Sequence, residues 1–257
     1  MALELMTLPC LSDNYAFLIH SAETGETALI DVPEAGPVLD ALKARGWTLT
    51  DVLLTHHHWD HVDGLPDLLA ALPAKPRIWG AAADAHRLPP LTNPVKDGDR
   101  VTICAEEAVI IDVSGHTIGH IAFHFPNSSF AFTGDSLMAM GCGRLFEGSP
   151  ETMWQSLCKL AALPDETLIC SGHEYTASNM RFAQTLDAAN PDLILRASEI
   201  EKTRAAGKAT VPSTLASERL TNPFLRATNP SLKAALGMAD ADNAAVFAAI
   251  RALKDKF

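Results

Sequence analysis

Cysteine is scarce and poorly placed for its usual roles. Five residues, Cys10, Cys104, Cys142, Cys158 and Cys170, fall at wide, irregular intervals with no C-x-x-C pair. An odd, dispersed set suggests neither a disulfide framework nor a cysteine-based zinc site and suits a reducing compartment. Basic residues are also in deficit, with 20 Lys and Arg against 31 Asp and Glu and a formal charge of −11. That balance argues against broad binding to nucleic acid or anionic membrane, both of which need a cationic face, so any anionic ligand must meet a local basic patch. No apolar run approaches the ~20 residues of a membrane span. The opening MALELMTLPCLSDN carries Glu4 where a secretory leader would be basic, and its apolar positions partly alternate with polar ones. A soluble, cytoplasmic protein is expected, with nothing in the sequence that compels a dimer, so a monomer is expected too.

At 257 residues the chain can bury a large core, as one domain or as a domain with an appendage. The first two thirds read as short strands punctuated by turns, ELMTL, YAFLIH and ETALIDV, followed by a helical EAGPVLDALKARG ending at Gly46. Strands alternating with helices predict an α/β layered domain. After Tyr175 the pattern becomes helical, in SNMRFAQTLDAAN, PDLILRASEIEKTRAAG and ADNAAVFAAIRALKDKF, broken at Pro191, Gly207, Pro212 and Pro230. The intervening GKATVPSTLASERLTNP reads as a loop. The predicted division is residues 1–174 and a helical piece over 175–257.

One pattern recurs four times. DVLL runs into Thr55 and the cluster HHHWDH, AVIIDV into Ser114-Gly115-His116, SSFAF into Thr133-Gly134-Asp135, and TLIC into Ser171-Gly172-His173. Small residues permit a sharp turn at a strand end, and side chains delivered there from several strands can converge on one crevice. In extended chain the side chains alternate, so His56 and His58 point together and His57 points away. A turn at Trp59 then brings in Asp60 and His61. The pair in GHTIGH leaves His116 and His120 as alternatives; the strand-end position favours His116, whereas His120 opens IAFHF and is expected to cap or pack. Five imidazoles and two carboxylates are more than one tetrahedral zinc can use, and two ions share them comfortably. Imidazole with carboxylate suits Zn, Fe or Mn, and a bridging carboxylate would hold two ions roughly 3.5–4 Å apart, an arrangement that activates a water between them.

These residues resemble the metallo-β-lactamase superfamily: the H-x-H-x-D-H cluster of His56, His58, Asp60 and His61, then Gly115-His116-Thr117, Thr133-Gly134-Asp135 and Ser171-Gly172-His173. Within it, GCGRLFEGSPETMWQSL, SGHEYTASNMRFA, NPFLR and the terminal RALKDKF resemble the hydroxyacylglutathione hydrolase, or glyoxalase II, family over essentially the whole chain. The resemblance implies a four-layer αββα fold with a helical C-terminal substrate-binding domain. It implies two divalent ions, Zn first and Fe or Mn as alternatives, with His56, His58 and His116 on one, Asp60, His61 and His173 on the other, and Asp135 bridging. Substrate contacts carried over fall on Arg144, Phe146, Tyr175, Arg251 and Lys254. Some members carry Lys and Tyr where this chain has Arg144 and Phe146, so a phenolic hydrogen bond is lost here.

The implied activity is hydrolysis of S-(2-hydroxyacyl)glutathione, such as S-D-lactoylglutathione, to glutathione and a 2-hydroxy acid in methylglyoxal detoxification. A metal-bridging hydroxide would attack the thioester carbonyl, with Asp60 also orienting it. A thiolate with a pKa near 8.5 leaves without strong general-acid help, in keeping with a sequence that offers no obvious acid. Glutathione brings two carboxylates, and Arg251 and Lys254, at i and i+3 on a predicted helix, share the face that could grip them. Basic residues also suit a helix C-terminus through the macrodipole alone. Tyr175 either packs under the site or touches substrate, Arg226 reads as structural, and Asp31 is either a partner orienting a ligand histidine or a turn aspartate. Four rival readings share the residues: a β-lactamase-type hydrolase, which would need a secretory signal; a nuclease of this fold, which the charge of −11 opposes; a mononuclear-iron glutathione persulfide dioxygenase of the same superfamily; and a non-catalytic metal-binding scaffold.

Overall fold

In the computed structural model, which describes residues 2–257, the alternation of apolar residues is realised first in a six-stranded sheet. Its strands are β1 (Glu4–Cys10), β2 (Asn14–His20), β3 (Glu26–Ile30), β4 (Thr48–Leu53), β5 (Arg77–Ala81) and β6 (Asn93–Val95), adjacent in that order. The first three pair antiparallel and the rest parallel. Parallel neighbours need crossovers, which α1 (Ala35–Arg45) supplies between β3 and β4, and α2 (Trp59–Val62) with α3 (Leu65–Ala71) between β4 and β5. Gly46 closes α1 in the left-handed region at φ 65°, as its position after the last helical residue predicts. One face of the sheet, with Leu18, Leu29 and Val52, packs on Val38, Leu42, Leu65 and Leu68 of these helices.

Four further strands, β7 (Arg100–Ile103), β8 (Glu106–Asp112), β9 (Ile121–Phe125) and β10 (Phe130–Gly134), form an antiparallel meander. Phe132 of β10 meets Phe17 of β2 at 5.6 Å between ring centroids, so the two sheets share an aromatic layer. Both faces of β2 are therefore covered, which is why the strand is buried almost throughout. These elements belong to one compact unit, residues up to Asp112 with Gly119–Gly134.

A second compact unit holds Val113–Ile118 and Asp135–Phe257. It contains the short pair β11 (Leu137–Met138) and β12 (Gly141–Cys142), then α4 (Pro150–Ala161), β13 (Leu168–Ser171), α5 (Thr176–Asp187), α6 (Pro191–Ala205), β14 (Ser213–Thr214), α7 (Leu215–Thr221), α8 (Pro230–Ala235) and α9 (Asn243–Asp255). Ser149, Asn190, Asn229 and Asp242 cap α4, α6, α8 and α9 through their side chains. Met180, Ala183, Leu193, Ala197 and Ile200 form the seam of α5 and α6, while Phe182, Phe224 and Phe247 make a chain of ring contacts.

The stretch expected to be a loop, GKATVPSTLASERLTNP, is corrected in part, because it carries β14 and α7. Thr214 caps α7 by accepting from Ser217 N, and Leu215, Glu218 and Thr221 are buried. Glu218 explains the burial: it pairs with Arg196, takes hydrogen bonds from Ser213, Asn222 and Met140 N, and so stays satisfied inside. No helix among the described residues is long and apolar enough to cross a membrane.

Candidate active site

In the first unit, β4 delivers Thr55, His56, His57 and His58 in extended chain before α2 begins, and alternation does what the sequence implies. His56 Nε2 and His58 Nδ1 lie 3.2 Å apart, while His57 turns away to bring Nδ1 within 2.9 Å of the buried carboxylate of Asp84. The helical turn of α2 carries Asp60, half-buried, and His61, fully buried.

Asp31, directly after β3, organises this half. Its Oδ1 accepts Thr55 N and its Oδ2 accepts Thr55 Oγ1, both at 2.8 Å, and Oδ2 stands 2.8 Å from His61 Nδ1. A carboxylate accepts, so His61 donates from Nδ1 and carries its lone pair on Nε2. The Thr55 hydroxyl has one proton and gives it to Asp31. Its contact with His56 Nδ1 at 3.0 Å must then be donated by the imidazole, which puts the His56 lone pair on Nε2 as well. Ligand atoms of Asp31, His56 and His61 all fall within 4.8 Å of one another. The backbone of Asp31 is left-handed, at φ 57°, a conformation uncommon outside glycine and held here by the surrounding bonds.

Two neighbours complete this half. Asn14, buried on β2, donates from Nδ2 to the Asp60 backbone oxygen at 3.0 Å and to its carboxylate at 3.1 Å. His120, which directly precedes β9, stacks on His56 at 4.6 Å between ring centroids. Gly134 is obligatory: at φ 48°, an added Cβ would fall 2.6 Å from Thr55 Oγ1 and 2.8 Å from His120 Cε1.

In the second unit, the buried carboxylate of Asp135 lies between two buried imidazoles. Its Oδ2 is 3.5 Å from His116 Nε2 and 3.3 Å from His173 Nε2. His116 Nδ1 lies 2.8 Å from the carbonyl oxygen of Arg144, which can only accept, so this ring too presents the Nε2 lone pair. The loop can pass this close because residue 143 is glycine: a Cβ there would sit 1.9 Å from the Asp135 carbonyl oxygen and 2.9 Å from His116 Nδ1.

The expected substrate contacts divide. The side chains of Arg144 and Phe146 are exposed, Phe146 at 63%, and the Phe146 ring meets His116 at 5.2 Å. Tyr175 stacks on His173, 4.7 Å between centroids and 5° between planes, yet leaves 40% of its surface exposed. Arg251 is buried, donating to the Cys142 carbonyl at 3.0 Å and to Asp255, with its guanidinium over Phe224. Lys254 Nζ lies 3.4 Å from the Ser178 carbonyl oxygen and over the rings of Phe182 and Phe257. Burial, then the charges of Arg251, Arg181 and Arg144, hold the Lys254 ammonium down to about 8. Arg226, read as structural, pairs with Asp187. Sequence reasoning missed Asn14 altogether and gave Thr55 no role; Thr55 carried the signal of position, Asn14 none.

Strand-end imidazoles with fixed tautomers, set beside carboxylates, define a metal-dependent hydrolase site on an α/β scaffold, and the comparisons agree. The metallo-beta-lactamase superfamily model matches residues 12–173, and the model for the hydroxyacylglutathione hydrolase C-terminus matches residues 174–257. A hydroxyacylglutathione hydrolase of Cereibacter sphaeroides is 65% identical over 257 residues, all of both chains. Among solved structures, BLEG-1 B3 metallo-beta-lactamase superposes with a TM-score of 0.67 at 18% identity, covering 86% of this chain and 99% of that one. TTHA1623 in a di-iron-bound form gives 0.62 at 25% identity, covering 86% and 100%. The chain belongs to the hydroxyacylglutathione hydrolase family of the metallo-β-lactamase superfamily. It is a metal-dependent thioester hydrolase, and identity of this extent leaves the dioxygenase and scaffold readings without support.

Proposed function

We propose that seven side chains act together as a binuclear centre for hydrolysing S-(2-hydroxyacyl)glutathione. His56, His58 and His116 hold one divalent ion; Asp60, His61 and His173 hold the other; Asp135 is shared between them. The carrying observation is Asp135, whose single Oδ2 lies within 3.5 Å of Nε2 on two different imidazoles. Three tautomers support it, since His56, His61 and His116 each give up Nδ1–H to a neighbour and direct a lone pair from Nε2. This donor set suits Zn, with Fe and Mn as alternatives, and the related structure described as di-iron-bound supports a count of two. Bound there, the ions would supply an activated water at neutral pH and polarise the thioester carbonyl.

The chain's own residues do the rest. Asp60, held by Asn14, orients the attacking water toward the carbonyl carbon. The leaving thiolate, with a pKa near 8.5, departs without a dedicated acid. Arg144 and Lys254, with Arg251 behind them, form the cationic patch that the carboxylates of glutathione require in so acidic a chain. Phe146 and Tyr175 offer exposed ring surface beside His116 and His173. Residues 1–174 serve as the catalytic part and residues 175–257 as the helical substrate-binding part. The activity would serve methylglyoxal detoxification in a cytoplasmic monomer, and the five unpaired cysteines suit the reducing compartment this requires. Replacing Asp135 with Ala tests the bridge: metal content should fall and turnover should drop by at least about a thousandfold, on the scale of losing an essential transition-state group. Full metal content with near-normal rate would refute the assignment.

A further inference from the structure

We propose that Arg181 is an additional substrate-binding residue, which with Lys254 takes one carboxylate of the glutathione moiety. The inference rests on the thioesterase reading and extends its cationic patch to a residue that neither the motifs nor the family resemblance single out.

Helix α5 starts at the edge of the site. Tyr175, stacked on His173, precedes its first residue, and Ser178 and Arg181 follow at successive steps of three along the helix surface. Lys254 lies against the same helix, with Nζ 3.4 Å from the Ser178 carbonyl oxygen, 3.5 Å from Ser178 Oγ and above the ring of Phe182. The positive charge of Arg181 is felt there, as are those of Arg251 and Arg144. The carboxylate of Asp255 is committed to Arg251, and Asp187, at the far end of α5, is committed to Arg226. No carboxylate among the described residues pairs with Arg181 or with Arg144, and Arg181 is exposed. Three guanidinium charges thus bear on the Lys254 ammonium, and Asp255 pairs with only one of them, Arg251, in a chain with a formal charge of −11. Like charges held together and left un-neutralised are costly unless an anion completes them. A planar guanidinium beside an ammonium suits a carboxylate, which it can hold bidentately.

The test uses the metal-loaded full chain and the variants Arg181→Ala, Arg181→Glu and Arg181→Lys. Steady-state KM and kcat are measured on S-lactoylglutathione and on its dimethyl ester, in which both carboxylates are masked. Calorimetry measures Kd for the non-hydrolysable thioether S-methylglutathione. Arg181→Ala should raise KM and Kd about five- to tenfold and Arg181→Glu further, with kcat within twofold and Arg181→Lys close to wild type. The dimethyl ester should be insensitive to all three. KM and Kd within twofold of wild type for Arg181→Ala, or an equal loss on the dimethyl ester, would overturn the proposal. Arg181-dependent binding of S-methylglutathione by a wild type that releases no thiol would refute the thioesterase reading and uphold Arg181.

Discussion

The imidazoles of the site and the cations around Lys254 solve opposite electrostatic problems. Each of His56, His61 and His116 is buried and has one nitrogen claimed by a hydroxyl, carboxylate or carbonyl, so its tautomer is fixed before any ligand arrives. Among the described residues no carboxylate pairs with Lys254, Arg181 or Arg144, and burial, then the neighbouring guanidinium charges, holds the Lys254 ammonium down to about 8. Chemistry at a metal gains from preorganised lone pairs, because reorganisation during the reaction is then avoided. Recognition of a peptide that carries two carboxylates would gain from cationic charge left unpaired, because the ligand completes the balance.

The largest effect expected from disturbing this contrast lies on the imidazole side. Asp31→Asn keeps a residue that tolerates φ 57° and nearly the same shape, but exchanges an acceptor-only carboxylate for an amide that cannot accept from both Thr55 and His61 in the same way. Metal affinity or activity should fall about 10- to 100-fold, the usual cost of losing a group that orients a ligand. Chelator competition measures the first and thiol release the second. A variant equal to wild type in both would show that the His61 tautomer needs no carboxylate.

A smaller effect is expected on the cationic side. Lys254 is charged below about pH 8 and neutral above it, so the attraction for a carboxylate is present at low pH and lost as pH rises through that value. The groups facing the ammonium are Arg251, Arg181 and Arg144, with Ser178 and the rings of Phe182 and Phe257. For S-lactoylglutathione, kcat/KM should decline severalfold through about pH 8 while kcat holds, since kcat/KM reports the free enzyme. In Lys254→Ala the value should begin lower and lose that limb. A limb that survives in the variant would assign the titration to another group.

The contrast also explains what could be read from sequence. His56, His58 and His61 were legible because period-two alternation followed by a turn fixes which side chains converge, whatever the tertiary context. Asp135 and His173 were legible as strand-end residues after glycine, and His116 over His120 for the same reason; His120 instead packs on His56. Asp31 stayed ambiguous because its role depends on β3 lying beside β4, which appears only when the sheet forms. Asn14 was invisible, since a strand-edge amide reaching a backbone oxygen 46 residues away leaves no local pattern. On the cationic side, i and i+3 spacing placed Arg251 and Lys254 on one face but could not show that Arg251 is buried against the Cys142 carbonyl. Helix α7 was read as loop because its stability comes from the buried Glu218 network, while its surroundings abound in Gly, Pro, Ser and Thr.

The central claim is that two ions and this constellation of residues hydrolyse a glutathione thioester. Release of free thiol from S-lactoylglutathione, measured on the same sample as metal content per chain, tests it most directly. The account predicts two divalent ions per chain and thiol release abolished by chelation and restored by Zn, Fe or Mn. A single tightly bound ion with no thiol released would contradict it.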